Sequence, residues 1–200
     1  MKILLVSDVE SKYIWDYFDK NRFSDIDCII SCGDLKASYL SYLVTMLNVP
    51  LYYVPGNHDK EYINNPPLGC INIHGKVVNH KGIRILGIGG SMKYSNGPFQ
   101  YSEREIKKVT RKAKLKLFFN KGIDILATHA PALNLGDGTD LCHKGFSEFR
   151  KLIDNYNPKY HFHGHQHLNY DLQKRSLKYN CTNIVNAYNY TIIDYYKDQL

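Results

Sequence analysis

What the chain lacks narrows its class. No C-x-x-C pair occurs among its five cysteines, Cys28, Cys32, Cys70, Cys142 and Cys181, and their number is odd. A disulfide framework or a cysteine-built zinc site is therefore disfavoured, and free thiols in a reducing cytoplasm are expected. No apolar run approaches the ~20 residues that cross a bilayer. The first run, Ile3 to Val6, is cut off by Ser7-Asp8, so neither a signal peptide nor a membrane partner is expected. Internal repeats, low-complexity stretches and interdomain linkers are missing too. A length of 200 residues, 44% of them hydrophobic, fits one domain spanning 1–200.

Evenly spread positive charge is also absent. The net charge is +7, but the segment from Arg104 to Lys121 holds eight Lys or Arg against Glu105 alone. That segment equals the whole excess. The rest of the chain is nearly neutral, so a protein that coats nucleic acid over its whole surface is excluded. Within the segment, Ile106, Val109, Ala113 and Leu117 recur at helical spacing behind a Ser102-x-x-Glu105 capping box. A helix with a solvated basic face is the expectation, and a phosphate-rich partner the alternative.

Apolar runs and turns set the rest. Lys2–Val6, Ile26–Ser31 and Leu51–Val54 read as buried strands. Between them lie helical patterns, one opening at Ser11 with Ile14, Trp15 and Phe18, another over Leu35–Leu47. This β-α-β-α-β order predicts a parallel sheet with right-handed crossovers. Short strands over 70–73, 76–79 and 83–88, with turns at Gly75 and Gly82, predict antiparallel hairpins. Further strands are expected over 123–128, 160–163, 181–186 and 191–196, the last two as a closing antiparallel pair. A helix is expected over 146–155. The 87–101 and 132–145 segments read as loops, the second a candidate lid.

Polar residues gather just past the strands. Asp8 and Glu10 follow the first strand and Asp34 the second. Asn57, His58 and Asp59 follow the third through the turn-forming Pro55-Gly56, and His129, His165 and His167 follow the two late strands. Ligands of open α/β sheets sit at such carboxyl ends. Carboxylate, amide oxygen and imidazole together suit Mn²⁺, Fe²⁺, Zn²⁺ or Co²⁺ better than Ca²⁺. Even with Asp59 left aside, eight metal-capable side chains exceed the needs of one ion, whereas an aspartate can bridge two ions ~3.5–4 Å apart. Asp59 is placed to orient the His58 imidazole. His143, in the lid, is a candidate substrate contact. His161 and His163 read as ordinary strand positions, and His74 and His80 receive no role.

Taken in order, Ser7-Asp8-Val9-Glu10, Cys32-Gly33-Asp34, Gly56-Asn57-His58-Asp59, Thr128-His129-Ala130-Pro131 and Gly164-His165-Gln166-His167 resemble the motif set of the calcineurin-like metallophosphoesterase superfamily. The resemblance runs from Ile3 to about Tyr196. It implies an α/β fold of mixed sheets packed as a sandwich and flanked by helices, around a dinuclear centre. Asp8, Glu10 and His167 would hold the first ion, Asp34 would bridge, and Asn57, His129 and His165 would hold the second. His58 would contact the phosphate and protonate the leaving oxygen. The family usually has His where Glu10 stands. The expected activity is hydrolysis of a small phosphate ester, a diester first, by a hydroxide between two divalent ions. Mn²⁺ is the first expectation, with Fe, Zn, Ni or Co as alternatives. A nuclease and a non-catalytic protein-binding scaffold are the competing functions.

Overall fold

The computed structural model describes residues 1–119, 122–168 and 174–196, without the side chains at 115, 116, 118 and 119. Lys121 of the basic segment lies outside the described residues, as does the Lys116 side chain. Strand β1 (Lys2–Ser7) is followed by α1 (Lys12–Trp15), β2 (Cys28–Ser31), α2 (Ala37–Leu47), β3 (Leu51–Tyr53) and β4 (Ile71–Asn72). Next come β5 (Lys76–His80), β6 (Ile83–Ile88), β7 (Ser91–Met92), β8 (Gln100–Tyr101), α3 (Glu103–Phe119) and β9 (Ile125–Thr128). The described chain ends with α4 (Ser147–Tyr156), β10 (Tyr160–His163), β11 (Ser176–Tyr179), β12 (Thr182–Asn186) and β13 (Asn189–Asp194).

Two sheets carry the architecture, one in the order β13-β1-β2-β3-β4 and the other β11-β12-β10-β9-β6-β5. Alternation along β1 shows why they stack. Ile3 and Leu5 point into a core shared with Ile85, Ile125, Phe162 and Val185 of the other sheet. Leu4 and Val6 point the other way, onto Ile14, Tyr39, Leu40 and Leu43 of α1 and α2. The second sheet is likewise covered by Ile106, Ala113 and Leu117 of α3 and Phe149, Leu152 and Ile153 of α4. Both faces of both sheets are thus apolar, which is why the strands read as continuous hydrophobic runs. Each fully buried Leu or Ile contributes roughly 1.5–3 kcal/mol to this helix–sheet–sheet–helix sandwich.

The expected mixed sandwich is found, with differences in connection. Only β5 and β6 form the expected hairpin, closed by Lys81 and Gly82 at φ 50° and 82°. These positive angles match a two-residue turn of the primed type. Strand β4 instead pairs parallel to β3, and β6 pairs parallel to β9. The pair expected to close the fold is split between the sheets. β12 lies parallel to β10, whereas β13 lies antiparallel to β1. Local pattern marks a strand but not its neighbour, because β propensity carries no pairing information. Helix α1 stops at Trp15, short of Phe18, and the Asp19 side chain caps a 3₁₀ turn over Lys20–Phe23. The α3 capping box forms as expected, with the Ser102 amide donating to Glu105 at 2.8 Å.

Candidate active site

Parallel β1, β2 and β3 in one sheet, and β9 and β10 in the other, direct their carboxyl ends to the same region. Asp8 follows β1 directly, and His129 follows β9 directly. Asp34, Asn57 and His165 sit on short loops after β2, β3 and β10. Asp8, Asp34 and His165 take left-handed backbone angles of φ 65°, 57° and 67°. Non-glycine residues there cost about 1–3 kcal/mol each and cluster where side chains must be aimed for function.

Glycine permits the close approach. A Cβ on Gly56 would collide with the Asp34 carboxylate, and one on Gly164 would strike the Ser7 hydroxyl and lie 2.8 Å from Asp8 Oδ2. The strand ends therefore pack backbone against carboxylate. Backbone amides hold those carboxylates. The His165 N–H donates to Asp8 at 3.0 Å, and the His58 N–H donates to Asp34 Oδ1 at 2.8 Å.

The buried floor centres on His129, which is fully inaccessible. Its Nδ1 lies 2.7 Å from the Cys32 carbonyl. Its Nε2 lies 2.9 Å from Asn57 Oδ1 and 3.3 Å from Asp34 Oδ2. Every one of these partners is an acceptor. Burial alone would lower the His129 pKa, but Asp34, Asp8 and the Cys32 carbonyl outweigh it and raise it to about 9. For Asp34, burial pushes upward, yet His129 and the His58 amide bring the carboxyl down to about 2. His165 moves the other way. Burial, then the positive His129, press its pKa down to about 3. The Asp8 carboxyl is raised, chiefly by burial. The His165 Nε2 lies 2.8 Å from the Cys142 carbonyl, which fixes that ring by the kind of outer hydrogen bond metal-ligating histidines use.

This donor set fits a divalent cation. Ligand atoms of Asp34, His129 and His165 lie within 4.8 Å of one another. They combine carboxylate and imidazole with the Asn57 amide oxygen alongside. The electrostatics agree, since Asp34, Asp8 and the Cys32 carbonyl outweigh burial in raising the His129 pKa and so favour positive charge here.

The rim is different. Glu10 turns to Lys36, whose backbone N–H is 3.3 Å from Oε1 and whose Nζ is 3.6 Å from Oε2. His167, 56% exposed, lies 4.0 Å from Asp8 and packs at a tilt against Tyr188, ring centres 5.2 Å apart. His58 is exposed. His143 donates from Nδ1 to Asp140 at 2.9 Å, and its ring centre is 5.2 Å from that of His165. The lid thus brings His143 to the rim. Asp8, Glu10, Asp34, Lys36, His58 and Glu61 line a cleft of about 470 Å³.

Asp59 corrects an expectation. Rather than backing the His58 imidazole, its Oδ2 accepts from the backbone N–H of Gly56 at 2.7 Å and of Asp34 at 2.9 Å. Burial and nearby Asp34 raise its pKa to about 7. It ties two ligand loops together. His161 and His163 occupy buried strand positions as expected, with His161 Nε2 2.9 Å from the Thr128 hydroxyl.

Three residues at the site carry no sequence motif. Lys36 pairs with Glu10. Tyr94 accepts a hydrogen bond from Asn57 Nδ2 at 3.1 Å, which turns Asn57 Oδ1 toward His129. Cys142 supplies its carbonyl to His165. The one available signal was their place in the 87–101 and 132–145 loops, or two residues past Asp34.

Comparison with known proteins gives the family and the fold. The family model for calcineurin-like phosphoesterase matches residues 1–169. No curated protein matches the sequence. Among solved structures, TT1561 of Thermus thermophilus superposes with a TM-score of 0.64 at 18% identity, over 94% of this chain and 89% of that one. GAP50, the anchor in the inner membrane complex of Plasmodium, superposes with a TM-score of 0.53 at 15% identity, over 93% and 70%. At these identities the likeness shows a common fold.

Proposed function

Because the chain belongs to the calcineurin-like phosphoesterase family, we propose that it hydrolyses phosphate esters, phosphodiesters in particular, with the help of two divalent ions. The observation that carries this reading is the convergence of Asp34, His129 and His165 ligand atoms within 4.8 Å. Asp34, Asn57, His129 and His165 would hold one ion. Asp8, Glu10 and His167 would hold the other, with Asp34 shared. Such ions, when bound, act as Lewis acids that bring the pKa of a bound water toward ~7 and neutralise phosphoryl charge. The oxygen-rich donor set favours Mn²⁺.

The chain's own groups do the remainder. The cleft between Asp8, Asp34, Lys36 and His58 receives the phosphoryl group, and the Lys36 ammonium adds positive charge at its edge. His58 stands exposed at the mouth and gives its proton to the leaving oxygen. The His58 backbone N–H donates to Asp34, which anchors the backbone that carries the imidazole. His143, steered by Asp140, contacts the ester from the lid side. Five free cysteines fit a reducing cytoplasmic setting. Among the described residues no helix is long and apolar enough to cross a membrane.

The deciding experiment measures bound metal together with turnover of a chromogenic phosphodiester in added Mn²⁺. Turnover that needs the metal supports the reading. Two bound ions without turnover on mono- or diesters would instead favour a scaffold. The exposed Arg104, Lys107, Lys108, Arg111 and Lys112 of α3 support a second reading, a nuclease. Reversing Lys107, Lys108, Arg111 and Lys112 leaves small-ester turnover within a few-fold in the first reading. A steep salt dependence of nucleic-acid binding, lost on that reversal, would favour the second.

A further inference from the structure

His165 belongs to two ligand groups, and the floor accounts for only one. In the other, donor atoms of Cys142, His143 and His165 lie within 4.8 Å of one another. Cys142 and His143 are half-buried and His165 is buried.

The segment around this second group is fixed from several sides. Asp140 Oδ1 accepts the backbone N–H of Cys142 and of His143, both at 3.1 Å. The same carboxylate takes the His143 Nδ1–H at 2.9 Å, leaving Nε2 with its lone pair. A carboxylate behind an imidazole is how proteins aim histidines at metals. The His143 carbonyl is held by Gln166 Nε2 at 2.7 Å and by the Gly138 N–H at 2.9 Å. An exposed histidine on an Asx turn would need none of this convergence on His165 and the thiol.

We propose that Cys142, His143 and His165 form a separate metal site, a thiolate and two imidazoles suited to Zn²⁺, which latches the 132–145 lid to the floor. Sulfur and nitrogen donors make it softer than the floor, whose oxygens suit Mn²⁺. Three protein ligands leave one position of a tetrahedral zinc for water. On binding, the thiol loses its proton to solvent and the thiolate coordinates. Because Nε2 donates to the Cys142 carbonyl, His165 keeps one free nitrogen, Nδ1, so it serves one group at a time and filling the lid site takes that ligand from the floor. A protein of this kind would be inhibited by zinc while activated by manganese.

The probe is Co²⁺, which gives a sulfur-to-metal charge-transfer band in the near ultraviolet only when a thiolate binds it. The full chain titrated with Co²⁺ should show the band. Cys142→Ser should abolish it, while Asp34→Asn, in the floor, and Cys181→Ser, on the exposed surface, should keep it. Zinc affinity by chelator competition should fall at least about tenfold in Cys142→Ser and about 10–100-fold in Asp140→Asn, the usual cost of losing an outer partner. No band at saturating Co²⁺, or one that survives Cys142→Ser, overturns the proposal. The readout is a spectrum and not turnover, so it stands or falls apart from the hydrolytic reading.

Discussion

The floor and the rim of the cleft are built from the same residue types by opposite means. On the floor, the side chains of His129, Asp8 and Asp34 are 0%, 1% and 10% exposed. Their oxygens and nitrogens are met by backbone amides, a backbone carbonyl and each other. On the rim, Glu10, His143 and His167 are 28%, 43% and 56% exposed and lean on single side-chain partners. The floor's side chains are held before any ligand arrives, since buried charges with several hydrogen bonds resist reorganisation. Rim groups have fewer such holds and gain further position from what binds there. Strain belongs to the floor as well, where three non-glycine residues have positive φ. Positions that tolerate such angles are over-determined by their surroundings. In the reading proposed above, the floor would hold one ion and share the second with Glu10 and His167 of the rim, whose other groups would set the choice of ester.

The sharpest test breaks the floor. Asp34→Asn removes the one anionic oxygen that faces His129 Nε2, while keeping the shape and the acceptor for the His58 amide. Turnover should drop by at least about 10³-fold, the upper range for losing one principal electrostatic group. Metal stoichiometry should fall with it. Near-normal rates with two bound ions would show that Asp34 is not shared between them.

A smaller loss, about 10²–10³-fold, is expected when the rim's proton donor goes. His58→Ala should keep both ions, because no floor contact passes through the imidazole, and a lost general acid costs within that range. The deficit should shrink with leaving groups that need no proton. Loss of metal in this variant would move His58 from the rim to the floor.

Gly164→Ala then asks whether the floor's precision itself matters. The new Cβ must push on the Ser7 hydroxyl and the Asp8 carboxylate. A displacement of about 1 Å in a positioned group can cost 10²-fold in rate. Turnover should therefore fall by up to about that factor, with the ion held by Asp8 lost before the one at His129. The comparable change in the 87–101 loop, Gly97→Ala, meets the movable end of the Gln100 side chain, 2.8 Å away at Nε2, and not a carboxylate of the floor, and should do little. Equal losses in both variants would erase the distinction between floor and rim.

Much of this arrangement is legible in the chain. Ile3 to Val6 announces a buried strand, and Asp8, Asp34, Asn57, His129 and His165 announce a site because each follows such a run. Their convergence follows once the strands are parallel, since parallel strands end on the same side. What sequence could not supply is pairing across long distances, such as β12 beside β10 or β13 beside β1. The positive φ of Asp8 and His165 was equally hidden, because neither residue type demands it. Asp59 shows the limit most clearly. Its place beside His58 suggests a dyad, yet its carboxylate turns to the amides of Gly56 and Asp34. Adjacent residues past a strand point in different directions, and only the loop path decides which.

The smallest effect is expected at Glu10, where rim chemistry sets the choice of ester. In the proposed dinuclear site, two divalent ions would bring four positive charges, against three negative from Asp8, Glu10 and Asp34. Replacing Glu10 by His raises the sum by one. It also frees the Lys36 ammonium, which now lies 3.6 Å from the Glu10 carboxylate. Both changes strengthen the field at the cleft mouth, and a dianionic monoester gains more from that than a monoanionic diester. Loss of a hard oxygen ligand also weakens the preference for Mn²⁺ over Zn²⁺ and Ni²⁺. Glu10→His should thus shift the monoester-to-diester ratio of kcat/KM upward by a few-fold, equivalent to roughly 1 kcal/mol or less in transition-state binding. Glu10→His with Lys36→Met separates the two contributions, since it keeps the imidazole but removes the freed ammonium. A ratio that returns to the parent value in the double variant assigns the selectivity to Lys36. One that stays raised assigns it to the ligand. Unchanged ratios in both variants would show that position 10 lies outside the reach of ion and ester alike.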